Sequence, residues 1–160
     1  MTNYFNSLPK LALALAGVMV AFSLAASITA VAKSRINTIG SPGVAIKGYD
    51  PVAYFEQGGP RKGLAKFAVS HKGVKWRFSS AENKARFEAN PAKYEPAYGG
   101  YCAYGVAQGY LVKIEANAWK IVDGKLYLNY DSNVQRLWSK RPAAYIQRAN
   151  AKFGKLISKR

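Results

Sequence analysis

The feature that most limits this chain is its single cysteine, Cys102, carried behind an N-terminal run that reads as an export signal. After Pro9-Lys10 the residues from Leu11 to Ala26 are almost wholly apolar, and Ala30-Val31-Ala32 supplies the small-x-small pattern that precedes cleavage. Leu11 to Ala32 is also long enough to span a bilayer, so an uncleaved anchor is the competing reading. Ser23, Ser27, Thr29 and the cations Lys33 and Arg35 just beyond favour a signal peptide, 1–32, cleaved after Ala32. On either reading residues 33–160 are expected outside the cytoplasm, periplasmic or secreted. There a lone cysteine excludes an intramolecular disulfide. The exported part must therefore hold itself together by burying apolar surface, and 49% apolar residues in a chain of 160 suffice for one core.

Residues 33–43 read as a polar leader or linker ending in Pro42-Gly43, with room for a short edge strand, and a domain follows over 44–156. Val44 to Ile46 is expected as strand. Asp50 caps a brief helix that Pro51 opens and Gly58-Gly59-Pro60 ends. Lys66–His71 and Val74–Ser79 alternate around Lys72-Gly73, which predicts a β-hairpin with Phe67, Val69, Val74, Trp76 and Phe78 inward. Ser79 and Glu82 form a capping box for a helix carrying Ala85 and Phe87, with a break at Asn90-Pro91 before Tyr94. Asp123-Gly124 between two β-rich runs is the strongest hairpin signal in the chain. Asp131 caps a helix with Val134, Leu137 and Trp138 on one side, and Pro142 opens a last helix with Gly154 as its stop. No internal repeat is read. The fold expected is α+β: a small single domain of two β-hairpins, sharing one sheet, with short packed helices.

Charge adds a class of partner. The formal net charge is +16, and all but Lys10 of its cations lie beyond the signal segment. Fourteen of them fall in two acid-free blocks, Arg61 to Arg77 and Arg136 to Arg160. In the envelope such a field meets anionic lipid headgroups and polymers rather than nucleic acid, which is not expected as a partner. A solvated basic surface that keeps the protein soluble explains the same numbers. Membrane attachment is expected only through an uncleaved signal segment.

The densest cluster of candidate site residues is Tyr98 to Gly105, with Tyr98, Tyr101, Tyr104, three glycines and Cys102. The tyrosines recur at i, i+3 and i+6, which predicts one helical packing face. A zinc site wants three or four Cys, His or carboxylate ligands, and beyond Cys102 and the single histidine, His71, no local clamp of acids exists. Cys102 with His71 as base is also the minimal pair for thiol catalysis. Against both stands the ordinary fate of a free cysteine, a small buried hydrophobe. Gly99-Gly100 and Gly105 lack the Lys-Ser/Thr of a phosphate loop, and no Gly-x-Ser-x-Gly elbow occurs.

The stretch from Tyr49 to Tyr101 resembles the YHS domain family. The resemblance rests on Asp50-Pro51-Val52, His71-Lys72-Gly73, Trp76-x-Phe78-x-Ser80, and Phe87-Glu88-Ala89-Asn90-Pro91-Ala92-Lys93-Tyr94. Its continuation through Gly99-Gly100-Tyr101-Cys102-Ala103 and Asp123–Tyr130 is similar to an exported bacterial branch of that family. In the metal-linked members, the resemblance places cysteines where this chain has Ala53, Ser79 and Asn83, none of which supplies a thiolate. A transition metal ion would thus rest on Cys102 and His71. Together with the export signal and the absence of a catalytic set, the resemblance points to an exported, non-enzymatic binding module for a small ligand, a metal ion or a protein partner in the envelope, near Cys102. The alternatives are a thiol enzyme or redox sensor using Cys102 with His71, and a basic protein binding anionic envelope surfaces.

Overall fold

In a computed structural model, residues 34–160 are described; the expected signal peptide and its cleavage point lie outside them. The chain opens on a 3-10 turn, Ala45–Gly48, whose Ile46, Lys47 and Gly48 all take left-handed φ (41°, 57° and 74°). Helix α1 (Ala53–Glu56) and the hairpin β1 (Leu64–His71) and β2 (Val74–Phe78) follow, then α2 (Ala81–Ala89) and α3 (Pro91–Tyr94). A second 3-10 turn, Ala97–Gly100, repeats the left-handed run at Tyr98, Gly99 and Gly100 (55°, 62° and 82°). After it come α4 (Ala103–Gln108), β3 (Glu115–Val122), β4 (Lys125–Asn129), α5 (Ser132–Ser139) and α6 (Pro142–Ser158).

The order is one unit written twice, and the match reaches into the details. Lys72-Gly73 and Asp123-Gly124 are both two-residue turns with left-handed φ at both positions, the geometry whose twist suits a hairpin. Each hairpin slips register near its open end, between Leu64 and Ala68 and between Glu115 and Trp119. Ser80 accepts from the Asn83 amide to cap α2, and Asp131 accepts from the Val134 amide to cap α5. Pro91 and Pro142 open α3 and α6. Under each hairpin one aromatic pair stacks the same way: Trp76 on Phe87 with centroids 5.2 Å apart, Tyr127 on Trp138 at 5.1 Å, both tilted by 32°. Phe87 and Trp138 are sealed from solvent; burying one such side chain contributes about 1.5–3 kcal/mol.

The two units share a core rather than a sheet. The hairpins form separate two-stranded sheets, so the single sheet expected from sequence is not present. Two strands bury too little alone, and each sheet depends on the helices and on its counterpart. Tyr54 crosses between units: its hydroxyl donates to the Ala116 carbonyl at 3.1 Å and its ring meets Trp119 edge-on at 5.3 Å.

Four local expectations need correction. Val44–Ile46 is no strand; only Val44 makes a bridge, to Lys75, before the chain turns left-handed. The α2 cap is Ser80, because the Ser79 hydroxyl is committed to Asp50. Helix α6 runs through Gly154 to Ser158, where Leu156 and Ile157 pack on an apolar cluster that includes Tyr101, Val106 and Trp138. The internal repeat is present although no repeat was legible in the residue letters. Among the described residues no helix is long and apolar enough to cross a membrane.

Candidate functional site

The leader places the site. Asn37 is buried and ties both 3-10 turns: its carbonyl accepts from the Ile46 amide at 3.0 Å, its amide donates to Gly99 at 2.8 Å, and its side chain donates to Gly100 at 2.9 Å. This lays Arg35 and Ile36 beside Tyr98-Gly99 and opens a cleft of about 530 Å³. The hairpin turn adds Lys72, the segment between the units adds Ala92 and Glu95, the second hairpin adds Lys125, and α6 adds Phe153. The Arg35 guanidinium lies 5.5 Å over the Phe153 ring. Glu95 is nearly enclosed and bridges two side chains, with Oε1 2.6 Å from His71 Nε2 and Oε2 2.6 Å from Lys72 Nζ. Lys125 Nζ donates to the Ala92 carbonyl at 2.9 Å.

Of the residues singled out from sequence, Tyr98 lines this cleft and His71 touches it through Glu95. Cys102, Tyr101 and Tyr104 are not among its walls. The three tyrosines do not share a helical face. Tyr98 sits in the left-handed turn with its hydroxyl 2.9 Å from Asn150 Oδ1; Tyr101 is extended and fully buried, its hydroxyl met by Arg160; Tyr104 stands in α4, edge-on to Tyr145 at 5.1 Å. Their spacing has helical period, but the backbone between them is not helical.

Cys102 is 1% exposed and belongs to the core. Its thiol faces Asn129 Oδ1 at 3.9 Å, and the Gly105 amide donates to its sulfur at 3.3 Å. Burial pushes the thiol's pKa up; the Gly105, Tyr130 and Tyr104 amides pull the other way with less effect. His71 makes its contacts elsewhere, with Glu95 and, edge-on, with Phe87. Among the described residues no group of three Cys, His or carboxylate side chains is placed to hold a metal ion.

The internal repeat explains this cysteine. Cys102 occupies, in the second unit, the place that Asp50 occupies in the first. Asp50 Oδ1 accepts from the Val52 and Ala53 amides at 2.9 and 3.3 Å; Oδ2 accepts from the Ser79 amide, the Ser79 hydroxyl and Asn83 Nδ2 at 2.8, 2.7 and 2.7 Å. The corresponding backbone amides, those of Tyr104, Gly105 and Tyr130, surround the Cys102 sulfur. Asn129 supplies the missing oxygen by accepting from the Tyr104 amide at 3.3 Å. The positions where the resemblance expects metal-binding cysteines, Ala53, Ser79 and Asn83, thus do come together, but around a carboxylate that their amides and side chains satisfy. Asp50, read from sequence only as a helix cap, is the hub. The three donor groups it gathers beyond its own turn, from Ser79 and Asn83, lie too far along the chain for spacing to reveal.

One consequence concerns pH. Below about 8.5, the ordinary thiol value, Cys102 is protonated folded or unfolded. Above it the unfolded chain releases a proton that the buried thiol keeps, so stability falls as pH rises through that range. The urea midpoint should therefore decline between about pH 8 and 9.5, and Cys102→Ser should flatten that decline. An equally steep decline in the variant would contradict the burial account.

No family model, no curated protein and no solved structure matches this chain.

Proposed function

We propose that the protein is an exported, non-enzymatic YHS-like binding module whose small ligand lies in the cleft against Tyr98 and Gly99. The observation that carries this reading is the cleft itself: about 530 Å³, walled by the leader, both hairpins and α6, at the left-handed turn of the second unit. That volume lies in the range of small-molecule sites. A thiol enzyme has less support, because the thiol is buried and protonated and the imidazole is engaged by Glu95. Ligand-detected NMR with a fragment panel spanning neutral, cationic and anionic molecules tests the reading against Ala92→Trp. Ala92 is exposed at the cleft wall, so its indole would fill the space without entering the core. Signals present with the native protein should vanish with the variant at an unchanged melting temperature. Signals that persist, or their absence with the native protein, would overturn it.

A further inference from the structure

We infer, resting on that cleft as the ligand site, that its ligand is a small anion, a carboxylate or a phosphate ester, carried on an apolar body. Three cations line the cleft, Arg35, Lys72 and Lys125, against one acid, Glu95. Both oxygens of Glu95 are already taken, one by His71 and the other by Lys72, and its side chain is 13% exposed. It therefore offers an incoming cation little, and it cancels the charge of Lys72. Arg35 and Lys125 keep theirs. Among the described residues neither belongs to an ion pair, and the one hydrogen bond of the Lys125 ammonium goes to a neutral carbonyl. An ammonium has three donors and a guanidinium five, so most remain to be satisfied by a ligand or by water.

Geometry selects the kind of anion. The Arg35 guanidinium is seated over the Phe153 ring, which limits its rotation before any ligand arrives. A planar fork held in place suits the paired oxygens of a carboxylate or phosphate better than a single-point acceptor. The same ring, with Ile36 and Pro96, gives the cleft an apolar wall that a bare inorganic ion would leave uncovered. The ligand so defined puts its oxygens between Arg35 and Lys125 and its hydrocarbon against Phe153.

Four probes that share one ring and differ in charge test this: benzoate, phenyl phosphate, benzyl alcohol and benzylammonium, titrated by calorimetry into the full chain. Benzoate or phenyl phosphate should bind at least about tenfold tighter than benzyl alcohol, the worth of one charge-assisted contact, and benzylammonium should not bind. Which of the two anions is preferred separates a carboxylate source from a phosphate source. Arg35→Gln and Lys125→Gln, both surface changes, should each loosen the preferred anion by about tenfold, and added salt should weaken it. Equal binding of benzyl alcohol, or anion affinity untouched by both substitutions, overturns the anion inference while the cleft stands if Ala92→Trp still abolishes binding. No binding by any of the four probes also overturns the anion inference; the fragment panel then decides the fate of the cleft separately.

Discussion

Asp50→Ala is expected to cost about 3–5 kcal/mol, a large part of the roughly 5–15 kcal/mol that holds a domain of this size together. Asp50 is fully buried, and its two oxygens accept from five donors: three backbone amides, the Ser79 hydroxyl and Asn83 Nδ2. Alanine leaves those donors facing one another with no acceptor, and Asn83 is buried with no water to turn to. Each orphaned buried donor costs about 1–3 kcal/mol, and partial relaxation keeps the total below the simple sum. At the matching position of the second unit, Cys102→Ala removes only a weak sulfur acceptor and a small volume, since Asn129 already accepts from Tyr104. The loss there should be about 1–2 kcal/mol. Urea unfolding of the two variants measures the contrast, and comparable losses would deny Asp50 its place as hub.

The second large effect is expected at Gly99→Ala, about 3 kcal/mol, with release of the leader. Gly99 has φ of 62°, and an added Cβ would stand 2.1 Å from the Arg35 carbonyl oxygen and 3.1 Å from the Ile36 Cα. Both are backbone atoms, and the backbone there is fixed by the Asn37 hydrogen bonds to Gly99 and Gly100. Relief of the clash requires the leader to leave, and those bonds go with it. Gly43→Ala is the control: its φ of 72° carries the same local strain, but nothing lies within 4 Å of the new methyl. Trypsin should cut after Arg35 much faster in Gly99→Ala than in Gly43→Ala or the native protein. Equal rates would mean that the close approach of the leader to this turn is not what Gly99 serves.

Local signals in the residues were good guides to local structure. Asp123-Gly124 does turn a hairpin, Asp131 does cap α5, and Pro142 does open α6, because each acts on the backbone within a few residues of itself. The repeat is not legible in the letters for the complementary reason. The two units share φ angles, register slips, caps and a tilted aromatic pair, but they fill those roles with different letters: Trp76 and Phe87 against Tyr127 and Trp138, Ser80 against Asp131, Asp50 against Cys102. Physical role recurs where identity does not. The tyrosine cluster misled in the opposite direction, since its spacing has helical period while left-handed φ at Tyr98 and Gly99 breaks the backbone that spacing presumes.

Residue order alone determined that a chain with one cysteine has no internal disulfide to lean on, that it makes two hairpins with capped helices after them, and that its charge is strongly basic. These follow from composition and from interactions of short reach. Only the tertiary structure decided that Cys102 is a buried counterpart of a carboxylate rather than a partner of His71, and that Arg35, Lys125 and Phe153 meet at one cleft. Those outcomes rest on contacts between residues far apart in the chain, set by how the leader is pinned to two left-handed turns. No spacing rule reaches that far, because the deciding quantity is where packing puts the backbone.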